Sequence, residues 1–309
     1  MPATPTQART APAAPGTAIR WGRLRAIGRS MRPRQWLKNG FVVAPALFGQ
    51  TLTDPDDIAK VAEAVACFCA ISSGLYLFND VIDREQDRHH PRKRLRPVAA
   101  GELSVRAALT GSAVLVVAAL AGAALVAPLF LAVVAAYGVL TVAYSLVLKY
   151  EVILDVMAIA GGFVLRVAGG AAAVDVEPSV WIFICTGSLA LLLAFGKRRH
   201  EGASLTTVDP IRHRRVLADY SATFVEAMMV LTAGATLVAY AVYTASEPAA
   251  SHHLAASLPF VVYGVIRYLW LVLHRHEGES PTALVWEDRP LQITIVGWVV
   301  AVAILLALT

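Results

Sequence analysis

The sequence predicts an all-α membrane protein, a bundle of nine transmembrane helices with its N-terminus cytoplasmic and its C-terminus on the opposite side. Three observations carry this. The chain is 57% hydrophobic and only 16% charged, with a mean hydropathy of +0.60, where a soluble domain carries about 25% charged residues. Nine apolar stretches recur along its 309 residues, most of them near the ~20 residues that a spanning helix needs. Lysine and arginine collect in alternate connections between those stretches. Most of the chain therefore belongs in a membrane. No nucleic-acid partner is expected, and the placement of charge says more than the formal net +5.

Residues 1–18 are rich in Ala, Pro and Thr and read as a disordered tail. They hold no apolar core of a signal peptide, so no cleaved leader is expected. Residues 19–35 set Arg20, Arg23, Arg25, Arg29, Arg32 and Arg34 among Ile19, Trp21, Leu24, Ile27 and Met31, the pattern of an interfacial amphipathic helix on an anionic leaflet. Residues 36–309 form the nine-helix transmembrane domain, with spans near 38–53, 58–79, 105–126, 129–148, 152–172, 179–196, 223–244, 257–274 and 291–308. The first is short and interrupted by Pro45; Pro128 divides the third from the fourth with almost no loop. Cys67, Cys69 and Cys185 lie inside apolar stretches and read as small buried hydrophobes, with no disulfide or zinc spacing.

Orientation follows from the charges. With the N-terminus inside, the cytoplasmic side holds the N-terminal arginines, Lys38, the 80–106 loop, Lys149, the 197–215 loop, Arg275 and Arg289. Of 27 Lys and Arg residues only Lys60, Arg166 and Arg267 lie elsewhere. The opposite loops carry Asp54, Asp56, Asp57, Asp175, Glu177 and Glu247 and no basic residue. This is the positive-inside asymmetry, and adding or removing one span scrambles it.

Chemistry concentrates at Asn79-Asp80-Val81-Ile82-Asp83-Arg84-Glu85-Gln86-Asp87, where the second apolar stretch ends. Charge is expensive there and needs a reason. At 3.6 residues per turn, Asn79, Asp80, Asp83 and Asp87 share roughly a 100° arc of one helix face. Oxygen ligands so clustered suit Mg²⁺ carrying a phosphorylated substrate, which makes Asp80, Asp83 and Asp87 the catalytic candidates. The bland alternative is a solvated helix end. Acid at a helix C-terminus opposes the macrodipole, however, and a bound cation reverses that penalty.

Basic segments surround this motif. In His89-His90-Pro91-Arg92-Lys93-Arg94-Leu95-Arg96-Pro97 the prolines favour an extended backbone, which folds Arg92, Lys93, Arg94 and Arg96 back over the acidic face, where arginine forks match phosphate. His89 and His90 read as loop residues before metal ligands. Tyr144, Ser145, Lys149 and Asp155 flank the turn between the fourth and fifth helices. Arg166 lies three turns deeper, among Gly161, Gly162, Gly169 and Gly170; a charge so placed faces a cavity or a partner helix. Arg267 reads as structural. A second cytoplasmic loop, from Lys197 to Thr223, opens on Lys197-Arg198-Arg199-His200-Glu201. It is basic enough to hold phosphate, with Glu201 able to reach a second metal or to orient Lys197. Arg212, Arg214 and Arg215 read as topology charges.

Asn-Asp-x-x-Asp-x-x-x-Asp after the second of nine helices resembles the first signature of the UbiA-type intramembrane prenyltransferase superfamily, and the resemblance extends from about residue 30 to the C-terminus. The stretches Arg32-Pro33-Arg34-Gln35-Trp36-Leu37-Lys38-Asn39, His90 to Gly101, and Gly196 to Glu201 are similar to one branch, the decaprenyl-phosphate phosphoribosyltransferases. The typical aromatic prenyltransferase has a second Asp-rich motif after helix six; here Lys197 to Glu201 stands in its place, which fits the phosphoribosyl branch. The resemblance implies a multi-pass protein of the cytoplasmic (inner) membrane, with an active site facing the cytoplasm. It implies that Mg²⁺, held by Asn79, Asp80, Asp83 and Asp87, grips 5-phosphoribosyl diphosphate, and that an oxygen of a polyprenyl phosphate attacks ribose C1. That nucleophile is already anionic, so no general base is required. Lys38, Asn39, Arg92, Lys93, Arg94, Arg96, Lys149, Arg166, Lys197, Arg198 and Glu201 are then the candidates around the two phosphates, and Tyr144 and Asp155 those for the ribose. The product is a precursor of lipid-linked pentose for cell-envelope polysaccharide, and a homo-oligomer is compatible with the family.

Two rivals stand beside this reading. An aromatic prenyltransferase uses the same acidic cluster but transfers the lipid itself. A transporter for an anionic solute shows inverted repeats and polar residues at the midplane; no internal repeat is evident here.

Overall fold

The computed structural model describes residues 25–204, 219–246, 251–275 and 281–307. The expected tail, the start of the interfacial helix, and Arg212, Arg214 and Arg215 lie outside them. All regular structure among the described residues is helical. Eight helices are long and apolar enough to span a membrane: α1 (Pro55–Ile82), α2 (Val105–Val126), α3 (Pro128–Leu146), α4 (Leu154–Val174), α5 (Val180–Ser204), α6 (Ala222–Ser246), α7 (Leu258–His274) and α8 (Arg289–Ala307).

The expected first span, 38–53, is not among the eight. Pro33–Val42 is a 3₁₀ helix, Ala44–Phe48 a short α-helix and Thr51–Thr53 a further 3₁₀ turn. The segment runs antiparallel to α1. Arg32 pairs with Asp80, Trp36 Nε1 donates to Ser73 Oγ at 3.0 Å, and Asn39 Nδ2 reaches Cys69 Sγ at 3.1 Å. A 3₁₀ helix rises about 2.0 Å per residue against 1.5 Å for an α-helix, so it covers the depth of α1 with fewer residues. Pro33 enters its first turn behind Arg32 at φ 53°, and Pro45, which has no N–H, occupies the first turn of the short helix. At the other end of the segment Asp54 caps α1, accepting from the Asp56 N–H at 2.9 Å, with Pro55 in the first turn.

Apolar side chains form two main clusters. One joins the broken segment to α1, α2 and α3 through Val42, Phe68, Ile71, Ala119, Phe130 and Val134. The other joins α4, α5, α6 and α7 through Val156, Leu192, Phe195, Met229, Val265 and Leu271. Helices α1 and α4 are the most enclosed and α8 the least, so α8 leaves side chains such as Ile293 and Val296 on the outer surface. Close approach at Gly170 lets α4 meet the backbone of Val42: a Cβ there stands 1.9 Å from the Val42 carbonyl oxygen. The turn between α2 and α3 is Ala127 alone, with Pro128 opening α3. Lys197 to Glu201 is no loop: α5 continues through these residues to Ser204, because nothing in Leu192 to Ala203 breaks a helix except tolerated glycines.

Candidate active site

The acidic motif closes α1. The helix yields at Asp83 (φ −85°, ψ 2°) and resumes as Arg84–His89, but its hydrogen bonds run on, from Asp83 N to Asn79 O at 2.9 Å and from Asp87 N to Asp83 O at 2.8 Å. Asp80, Asp83 and Asp87 therefore keep one buried face, as their spacing predicts. Asn79 Nδ2 donates to Asp83 Oδ2 at 3.0 Å and orients it.

Each carboxylate is met by a cation of the chain itself. Asp80 Oδ1 takes Arg32 and, at 3.4 Å, Arg96; Asp87 Oδ2 takes Arg96 Nη1 at 2.6 Å; Asp83 takes Lys149. Of the four basic residues expected to fold over the acidic face, Arg96 does so. Arg92 and Arg94 are exposed and Lys93 is half-buried. His90 turns its Nδ1 to the N–H groups of Arg92 and Lys93, both at 3.3 Å, which makes it a turn former. Burial pushes the Asp87 carboxyl above the ordinary carboxylate range against the pull of Arg96 and Lys93. Burial, joined by the neighbouring Arg32, holds the Arg96 guanidinium below its usual value. Both charged groups are thus under-solvated.

Among the described residues no group of three or more His, Cys, Asp or Glu is placed to hold a metal ion; the carboxylates are turned to the chain's own cations, Arg96 bridging Asp80 and Asp87. The donor set nonetheless fits Mg²⁺. All its groups are hard oxygens, and Asp80 Oδ2 is buried with no hydrogen-bond partner, an oxygen whose isolation costs about 1–3 kcal/mol without a ligand.

A second group of cations lacks carboxylates. Arg166 is buried and donates to three neutral acceptors at 2.8 Å: Asn39 Oδ1 from Nε, the Gly162 carbonyl from Nη1 and Tyr137 Oη from Nη2. Its guanidinium also lies over the rings of Tyr137 and Phe163. Lys38, beside Asn39, lies within electrostatic reach of Lys197, Arg166 and Arg32. Among the described residues neither Lys38 nor Arg166 forms an ion pair.

The sequence-predicted residues at the α4 end divide differently from expectation. Asp155 is wholly buried. Its Oδ1 accepts from Tyr220 Oη at 2.6 Å and from the Val156 N–H at 2.8 Å, and its Oδ2 faces Arg198 Nε at 2.8 Å. Asp155 thus ties Tyr220 and Arg198 to the start of α4, and its Oδ2, charge-paired with Arg198, has no hydrogen-bond partner of its own. Tyr144 lies against Arg198. Arg198 also pairs with Glu201, whose other oxygen is 3.8 Å from Lys197 Nζ, the orienting role open to Glu201. Arg267 is structural, paired with Asp288 at 2.8 Å. Arg32, Tyr137 and Tyr220 touch the candidate residues Asp80, Arg166 and Asp155, contacts that sequence reasoning missed. Arg32 stood inside a quoted stretch, hidden among topology arginines; the two tyrosines carry no local signal.

These features can be set beside known proteins. The profile of the UbiA prenyltransferase family matches residues 42–287. The decaprenyl-phosphate phosphoribosyltransferase of Mycolicibacterium smegmatis is 31% identical over 286 residues, covering 88% of this chain and 89% of its own. That of Mycobacterium tuberculosis is 30% identical over 282 residues, covering 89% and 92%. Among solved structures, a UbiA homolog from Archaeoglobus fulgidus bound to GPP and Mg²⁺ shares the fold with a TM-score of 0.70 at 17% identity, over 91% of this chain and 99% of that one. The helical bundle, the acidic motif closing α1 and the extent of these matches agree, and the chain belongs to the UbiA prenyltransferase family.

Proposed function

We propose that the protein transfers 5-phosphoribose from 5-phosphoribosyl diphosphate to a polyprenyl phosphate in a Mg²⁺-dependent reaction, releasing diphosphate. One observation carries the reading: the site has two electrostatically distinct parts, the acidic motif with its paired cations and the carboxylate-free pair of Lys38 and Arg166. The first suits a diphosphate arriving with a divalent cation, the second an acceptor bearing its own phosphate. The names of the mycobacterial relatives point the same way.

Asn79, Asp80, Asp83 and Asp87 would hold Mg²⁺, which when bound neutralises charge on the departing diphosphate. Arg32, Arg96 and Lys149, released from the carboxylates, turn to the diphosphate oxygens and stabilise the charge that grows there. The C1–oxygen bond to diphosphate breaks as ribose C1 gains oxocarbenium character, and a lipid phosphate oxygen forms the new bond to C1. Arg166 and Lys38 hold that phosphate, with Asn39 and Tyr137 fixing the guanidinium. The basic loops around the motif support a cytoplasmic mouth on the inner membrane, where a soluble sugar diphosphate arrives.

The test incubates purified protein with Mg²⁺, polyprenyl phosphate and labelled 5-phosphoribosyl diphosphate and follows label into the lipid phase. Label in the lipid is the expected result. Its absence, together with prenyl transfer from a prenyl diphosphate to an aromatic acid, overturns the proposal.

A further inference from the structure

The turn from residue 147 to residue 153, between α3 and α4, is strained at one end and active at its middle. Ile153 has φ 71° and ψ −46°, a region that β-branched residues rarely enter. Packing does not hold it there, since its side chain is exposed. A hydrogen bond does: the Ile153 N–H donates to Tyr220 Oη at 2.8 Å, across 67 residues of chain. The same hydroxyl donates to Asp155 Oδ1, and Asp155 is anchored by Arg198, so Tyr220 is itself fixed. Lys149, at the middle of the turn, is wholly buried against Asp83. Rotation about φ of residue 153 swings the preceding residues relative to α4 and carries Lys149 with them.

We infer that Tyr220 is a positioning residue: by holding Ile153 in its strained conformation it sets where Lys149 meets the acidic motif, and thereby sets affinity for a diphosphate bound there with its divalent cation. The inference rests on the proposed function in taking that ligand class for the motif. It joins the start of α6 to the end of α1 through a turn that belongs to neither.

The experiment uses the full-length protein and its Tyr220→Phe, Ile153→Gly and double variants. Affinity for Mg²⁺ with inorganic diphosphate is read from ligand-induced thermal stabilisation, alongside KM for each substrate. Tyr220→Phe removes both bonds of the hydroxyl and should weaken diphosphate binding about tenfold, the size of one net hydrogen bond felt at the motif. Donor KM should rise while acceptor KM stays unchanged. Glycine adopts φ 71° freely, so in the Ile153→Gly background Tyr220→Phe should change little. A Tyr220→Phe protein with unchanged diphosphate affinity, whatever its melting temperature, overturns the inference, as do effects that simply add in the double variant. If Tyr220→Phe alone does not fold, the double variant must fold and bind; its failure overturns the inference. A wild type that neither binds diphosphate with Mg²⁺ nor transfers label overturns the proposed function and this inference together. A binding wild type with an indifferent Tyr220→Phe overturns this inference alone.

Discussion

Arg166 donates from Nε to the side-chain oxygen of Asn39 at 2.8 Å, joining residues 127 positions apart. The bond ties α4 to the broken 3₁₀ segment and holds a buried guanidinium whose hydrogen-bond partners are all neutral. Lysine cannot reproduce a planar fork with three directed donors. Arg166→Lys should therefore raise KM for polyprenyl phosphate about 10–100-fold, the value of a charged hydrogen bond or two, and leave donor KM near that of wild type. Steady-state kinetics with each substrate varied in turn checks this.

Asp83 and Lys149 form a buried pair in which Lys149 is fully enclosed. Asp83→Asn removes the countercharge and should destabilise the protein by about 3–5 kcal/mol, the usual consequence of an orphaned buried charge. It should also abolish transfer. Adding Lys149→Met should restore most of the stability, because an apolar replacement leaves no buried charge unpaired, and should restore no activity. Unfolding curves in detergent separate the two effects.

Gly170 has no room for a side chain. An added Cβ stands 1.9 Å from the Val42 carbonyl oxygen and 2.8 Å from its carbon, and backbone cannot retreat as a flexible side chain does. Gly170→Ala should cost about 1–3 kcal/mol or more. Gly234, within α6, has nothing within 4 Å of its added Cβ, so Gly234→Ala should be neutral or stabilise by up to about 1 kcal/mol. Paired melting measurements test the contrast.

Asp288 links α7 to α8. Its carboxylate accepts from Arg267 at 2.8 and 3.3 Å and from the Leu291 N–H at 2.9 Å. The Arg267 hydrogen bond holds the carboxyl below the ordinary carboxylate range. A depressed folded value means the stabilisation is complete above the unfolded value near ~4 and is lost as pH falls through the lower folded value. Asp288→Asn keeps an oxygen for the Leu291 N–H but loses the ion pair with Arg267, so it should cost up to about 1 kcal/mol near neutral pH, and the gap from wild type should close below about pH 4. Unfolding measured across that window gives the answer.

The sequence by itself determined what depends on local hydrogen bonding and on transfer to lipid. Apolar length and charge placed seven of the eight long helices within a few residues and missed the last eight residues of α5, and Pro128 and Ala127 marked the α2–α3 turn because proline leaves no N–H to bond. The common face of Asp80, Asp83 and Asp87 was legible because the i to i+4 hydrogen bonds from Asn79 to Asp87 persist through the yield at Asp83. Hydropathy does not register winding, so residues 38–53 read as a short span interrupted by Pro45, although the segment from Pro33 to Thr53 is mostly 3₁₀. Only the tertiary structure decided which charges meet. It chose Arg96 over Arg92 and Arg94, sent Asp155 to Arg198 and Tyr220, and left Arg166 with neutral partners. Those pairings span tens of residues and depend on how α4, α5 and the broken segment pack, and desolvation on packing is what turns a Lys or Arg into either a partner of an acid or a site for an anion.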